Sequence, residues 1–72
     1  MKISYNRLWK LLIDKGMNKH DLRIAAGISS ASIAKLGKCE NITTDVLLKI
    51  CEVLHVHIDE IMETIEIVSS DL

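Results

Sequence analysis

The sequence has no proline and no phenylalanine, and it holds one tryptophan, one tyrosine, three glycines and two cysteines. Without proline, nothing obliges a helix to break from within. With Tyr5 and Trp9 as the sole aromatics, the core must be aliphatic, built from Ile, Leu and Val. Long apolar runs are missing too. No core-type stretch is longer than three residues, as in Leu11-Leu12-Ile13, far short of the roughly 20 apolar residues that span a bilayer. No basic-then-apolar leader precedes a small-residue cleavage site, so the expectation is a soluble, cytoplasmic protein without a membrane partner. At 72 residues the chain is expected to form one domain, residues 1–72, with no room for a cleft between domains. A content of 49% hydrophobic and 26% charged residues excludes the disordered and collagen-like classes.

Charge is scarce in the sum but not in its distribution. The formal net charge is −1. Residues 1–38 nevertheless carry eight Lys or Arg against Asp14 and Asp21, a balance of +6, whereas residues 39–72 carry Lys49 against eight carboxylates, a balance of −7. Such asymmetry between halves points toward a polyanionic partner for the basic half. The whole-chain pI near 6.3 does not oppose this, because charges beyond a Debye length of about 8 Å are largely screened and a partner meets the local cluster.

Apolar residues recur at helical spacing throughout, and one device marks the helix starts: an apolar residue, a polar cap, and a second apolar residue five positions after the first. It pairs Ile3 with Leu8 around Ser4, Met17 with Leu22 around Asn18, Ile28 with Ile33 around Ser29, Ile42 with Leu47 around Thr43, and Val56 with Ile61 around His57. Asp21 and Glu60 stand three residues after their caps, where a carboxylate closes a capping box. Gly16, Gly27 and Gly37 fall where the first three helices should stop, and His55 stands where the fourth should. The pattern predicts helices over about 5–15, 19–26, 30–36, 44–54 and 58–64, an all-α, five-helix bundle. Tyr5, Leu8, Trp9 and Leu12 would face inward from the first helix, and Leu47, Ile50, Cys51 and Leu54 from the fourth.

The informative stretch runs from Lys19 to Leu36. Two short helices meet at Gly27, with small residues Ala25 and Ala26 beside the bend, and Leu22, Ile28, Ile33 and Leu36 directed inward. The outward residues of the second of these helices are then Ser30, Ala31, Ala34, Lys35 and Lys38. A helix facing only water usually carries more long charged side chains. Small side chains let a helix settle into a DNA major groove about 12 Å wide, where Ser hydroxyls bond base edges and Ala methyls meet thymine methyls. Ser30, Ala31, Ala34 and Lys35 are therefore the expected base contacts.

In Met17-Asn-Lys-His-Asp-Leu22, Ala26-Gly-Ile-Ser29, Ile33, Thr43-Thr-Asp-Val-Leu-Leu-Lys-Ile-Cys-Glu-Val-Leu54 and Val56-His-Ile-Asp-Glu-Ile61, the chain resembles the Cro and phage-repressor type of helix-turn-helix regulator. The resemblance runs from Tyr5 to about Ile65 and implies a lambda-repressor-like bundle of five helices that acts on DNA as a transcriptional regulator, most often a repressor. By position it puts Lys19 where the family usually has a phosphate-contacting glutamine. It puts Ser30, Ala31 and Lys35 where the family reads bases, and Lys38 and Asn41 in a loop that grips the backbone, so the resemblance implies phosphate contacts at Lys19, Arg23, Ser29, Ser32, Lys38 and Asn41. It also implies a homodimer on a two-fold operator of double-stranded DNA, with residues 66–72 as a tail or dimerisation segment. Three departures stand out. Arg23 replaces a usual alanine, Gly37 and Lys38 replace a usual Glu and second Gly region, and Ser30 replaces a long Gln or Arg. With small residues at the groove face, readout leans on Lys35 and on DNA shape.

Other chemistry is quiet. Cys51 fits a small buried hydrophobe, and Cys39 an incidental loop thiol. Cys51, His55 and His57 match no zinc spacing. No Ser, His and Asp constellation or Gly-rich phosphate loop supports catalysis, so neither an enzyme nor a cofactor is expected. Trp9, one turn after Tyr5, reads as core. Ile65, Ile67 and Val68 have three placements open: on the bundle, paired as a strand with Lys2-Ile3-Ser4, or against a second protomer. Two alternatives to a DNA reader remain at this level: a protein-interaction module of the same fold, resembling an antitoxin, and a metal- or redox-responsive regulator using Cys39, Cys51, His55 and His57.

Overall fold

A computed structural model describes residues 1–66. The chain opens with strand β1 (Lys2–Ser4) and continues through α1 (Asn6–Asp14), α2 (Lys19–Ala26), α3 (Ser30–Gly37) and α4 (Thr44–Leu54). A single 3₁₀ turn (Ile58–Glu60) leads to β2 (Glu63–Ile65), which pairs antiparallel with β1 in the register Lys2↔Ile65, Ile3↔Thr64, Ser4↔Glu63.

Three of the five expected helix starts carry the expected cap bond. Asn18 and Asp21 form a complete capping box, with the Asn18 Oδ1 accepting from the Asp21 N–H at 2.8 Å and the Asp21 carboxylate accepting from the Asn18 N–H at 3.1 Å. The Ser29 Oγ accepts from the Ser32 N–H at 3.1 Å, and the Thr43 hydroxyl accepts from the Val46 N–H at 3.4 Å. Ser4 behaves differently. It belongs to β1, is buried, and its Oγ accepts from the Asn6 N–H, so α1 starts a residue late with Tyr5 at the cap position.

All four α-helices stop in one way. An N–H five residues on bonds back to the helix, as from Met17 to the Leu12 carbonyl, Ile28 to Arg23, Glu40 to Lys35 and Val56 to Cys51, and the residue before that N–H is left-handed. Gly16, Gly27 and His55 fill that position as expected. At the end of α3 the expectation fails: Gly37 stays in the helix, and Cys39 takes the left-handed conformation at φ 55°. The helix runs further because the chain must reach Glu40, whose carbonyl accepts the Tyr5 hydroxyl at 3.0 Å. Burial pushes the Tyr5 phenol above its ordinary value, with Cys39 nearby adding to it, so it stays a donor.

The fifth helix is not formed. After the 3₁₀ turn the Met62 N–H makes one further bond to the Ile58 carbonyl, and the chain then extends. Helix propensity loses to pairing: Thr64 and Ile65 are β-branched, β1 offers an open edge, and the Glu63 carboxylate accepts from Arg7 of α1, whose guanidinium also donates to the Asp59 carbonyl at 2.8 Å. The protein is thus mostly helical with a two-stranded sheet rather than all-α. Of the three placements open for the C-terminal apolar residues, Ile65 takes the pairing with β1. Ile67 and Val68, and the expected tail beyond Glu66, lie outside the described residues.

The core gathers Tyr5, Leu8, Leu12, Leu22, Ile28, Leu36, Leu47, Ile50, Leu54 and Ile61, with Ala26 and Cys51. Trp9 and Ile33, both expected inside, are half-buried against it. Burial and the Glu60 carboxylate raise the Cys51 thiol above its ordinary value, consistent with a packing role.

His55 is exposed and left-handed at φ 56°, a conformation that disfavours any side chain with a Cβ. His55→Gly relieves that strain, partly offset by the freer unfolded chain. It is expected to add about 0.5–1 kcal/mol, and denaturant unfolding with unchanged or lower stability would contradict the assignment.

Candidate nucleic-acid interface

The surface that could meet a partner begins at Gly27. Its φ of 66° needs a residue without a side-chain penalty, while a Cβ added there would meet nothing within 4 Å. The glycine is required by the bend and not by crowding. Ala26 is buried at the crossing, whereas Ala25 is exposed and has no part in it. Ile28, 6% exposed, then pins the turn to the core, and the chain enters α3 at Ser29.

On α3 the inward stripe is Leu36, fully buried, with Ile33 half-buried. Ser30 and Ala31 are exposed, as is Lys35, and Ala34 is exposed between Ile33 and Lys35; the four follow the i, i+1, i+4, i+5 rhythm of one helix face. The structure therefore brings the four expected base contacts together on one outward ridge. Among the expected phosphate contacts, Lys19, Ser29, Lys38 and Asn41 are exposed, and Arg23 and Ser32 are half-buried. The Ser29 and Ser32 hydroxyls lie 3.1 Å apart and bond each other. One O–H of that pair is left unused by their mutual bond.

The electrostatics follow from what is missing around this ridge. Asp21 is the sole carboxylate between Lys15 and Cys39, and it is held in the capping box at the start of α2. Among the described residues the ion pairs are Arg7–Glu63 and Lys49–Asp45, so Lys19, Arg23, Lys35 and Lys38 are not neutralised by a partner. Most of the described carboxylates of the acidic half sit on α4, the 3₁₀ turn and β2, where Asp59 and Glu63 engage Arg7 through a carbonyl and a carboxylate, while Glu40 is exposed in the loop after α3, between Lys38 and Asn41 in sequence. One contact escaped sequence reasoning. The Lys19 ammonium lies 4.6 Å from the centre of the Trp9 ring, a contact between α2 and α1 that no spacing rule announces.

Two helices crossing at a left-handed glycine, the second presenting a small-residue ridge flanked by unpaired cations, define a helix-turn-helix. Residues 7–66 match the family model for the Cro/C1-type HTH DNA-binding domain, and the chain belongs to that family. Among solved structures it is similar to the one described as the crystal structure of transcriptional regulator VanUg, Form II. That chain is 53% identical, with 86% of this chain and 83% of that one covered and a TM-score of 0.84. No curated protein matches. No helix among the described residues is long and apolar enough to cross a membrane.

Ser29 and its neighbour separate two roles cleanly. Ser29→Ala removes the α3 cap and is expected to cost about 1 kcal/mol of stability. Ser30→Ala, one residue on at an exposed first-turn position, is expected to change stability by less than about 0.5 kcal/mol. Equal thermal shifts for the two variants would mean that Ser29 does not cap α3.

Proposed function

We propose that this protein is a non-enzymatic, sequence-reading transcriptional regulator that lays α3 in the major groove of double-stranded DNA and acts as a repressor. Ser30, Ala31, Ala34 and Lys35 meet the base edges. Lys19, Arg23, Lys38 and Asn41, with the remaining hydroxyl of the Ser29–Ser32 pair, hold the phosphates on either side. The observation that carries this reading is the exposed small-residue ridge of α3, bordered by cations without ion-pair partners and free of carboxylates. Because Ser and Ala discriminate weakly at base edges, Lys35 supplies the one long donor, and the remaining specificity comes from groove shape. The separation of charge orients the molecule during approach, basic side first. The likeness to a solved transcriptional regulator supports the same reading.

Neutralisation of about three phosphates by Lys19, Arg23 and Lys38 makes log affinity fall with log salt at a slope near −2.7 per protomer on B-DNA. Lys38→Ala is expected to weaken all sequences alike, whereas Lys35→Ala loses roughly 1–3 kcal/mol of discrimination at one base position. A flat salt response would favour a protein-binding module on the same fold. Equal losses for both variants on every sequence would remove Lys35 from base readout.

The protein further acts as a homodimer whose two α3 helices address half-sites about 34 Å apart, one DNA turn. Selection of bound duplexes from a random pool is expected to enrich a two-fold sequence. Enrichment of a single unrepeated half-site, with monomer in sedimentation on DNA, would exclude the dimer.

A further inference from the structure

Lys19 occupies an awkward place for a cation. It is the first residue of α2, where the helix dipole disfavours positive charge. Its side chain does not stay there. The ammonium lies over the face of Trp9 at 4.6 Å from the ring centre, and it is 3.5 Å from where a Cβ on Gly37 would stand. It has thus left the positive end of α2 for an aromatic face on α1 and the last turn of α3, the negative end of that helix. Trp9 is held in turn by packing against the core cluster, so the ring is a fixed platform and not a second mobile side chain.

From this we infer that Trp9 is a positioning residue, presenting the Lys19 ammonium to a DNA phosphate beside the end of α3. The inference rests on the DNA-binding reading above. A ring face attracts an ammonium without consuming its hydrogen-bond donors, so the outward N–H groups stay available to phosphate while the ring contact persists. A free lysine must give up much of its rotamer freedom when it grips a phosphate. Over Trp9 that ordering has occurred before DNA arrives. Gly37 completes the arrangement by placing no side chain, and no competing carboxylate, beside the ammonium.

The test uses the full chain and two readouts. In proton NMR without DNA, the Lys19 ε-methylene resonances are expected upfield, shifted by the indole ring current, and at ordinary positions in Trp9→Leu. In titrations of a labelled duplex, Trp9→Leu is expected to weaken binding about two- to fivefold, the range of an exposed cation–π contact. Lys19→Met is expected to weaken binding and to make the salt slope shallower by about 0.9. Adding Trp9→Leu to Lys19→Met should bring no further loss, and Trp9→Phe, which keeps a ring face, should retain part of the wild-type affinity. If Trp9→Leu melts too readily to compare, Trp9→Phe against Lys19→Met carries the same cycle. An equal loss from Trp9→Leu with and without the lysine would show a merely structural tryptophan and overturn the inference. Tighter binding by Trp9→Leu would overturn it by showing that the ring withholds the cation. Duplex binding that is intact while the Lys19 resonances are unshifted removes the positioning role alone. A wild-type chain that binds no duplex removes the DNA-binding reading and this inference with it, and the ring-current shift then reports whether the pair itself exists.

Discussion

An isolated helix shorter than about 12 residues is marginal in water, and the four helices here run to nine, eight, eight and eleven residues. Each therefore exists because its apolar stripe is buried against the others. Tyr5, Leu8, Leu22, Leu36, Ile50 and Ile61 are sealed from solvent, and they come from the residue before α1, from all four helices, and from the end of the 3₁₀ turn. The recognition surface inherits this dependence. α3 contributes a single fully buried side chain, Leu36, so its orientation is set largely by its two ends. Ile28 and the Ser29 cap fix one end. Cys39, in the left-handed conformation, and Glu40, taking the Tyr5 hydroxyl, fix the other. α3 is thus clamped at both ends, and its outer face is left exposed.

The same economy explains why the acidic half lies where it does. Arg7 is the one cation of the basic half drawn into an ion pair among the described residues, and its partners Asp59 and Glu63 belong to the segment that closes the fold. The remaining cations around α2 and α3 are left to the solvent. Segregation of charge thus does two things at once: it ties β2 to α1, and it leaves Asp21, held in its capping box, as the one carboxylate within α2 and α3.

What can be read from residues alone is governed by local chemistry. The capping box of Asn18 and Asp21, the Ser29 and Thr43 caps, the left-handed stops at Gly16, Gly27 and His55, and the outward face of α3 all depend on residues a few positions apart, and each is legible. What is not legible depends on distant partners. Ser4 is drawn into β1, so α1 starts late. Residues 63–65 carry a sequence that tolerates a helix, yet β1 and Arg7 hold them extended. Gly37 has the right residue type for a stop, but the Tyr5 bond to Glu40 sets the stop two residues later, at a cysteine. Trp9 reads as core and Lys19 as a phosphate contact, and only the crossing of α1 and α2 shows that they touch.

That last pair bears on the proposed docking of a ridge with so few long side chains. Ser30, Ala31 and Ala34 offer close approach but little reach, so on the proposed docking the depth of α3 would be set by what grips the backbone beside it. Lys19 stands at the opposite end of the helix-turn-helix from the α3 terminus in sequence, yet its ammonium lies by the last turn of α3, while the Ser29–Ser32 hydroxyl pair lies at the first. The proposed phosphate contacts at both ends of one helix would fix its tilt as well as its depth. On the proposed docking, a ridge of small residues would become selective through fit, because only a groove whose width matches that fixed tilt would let Lys35 reach a base edge while both ends remain engaged.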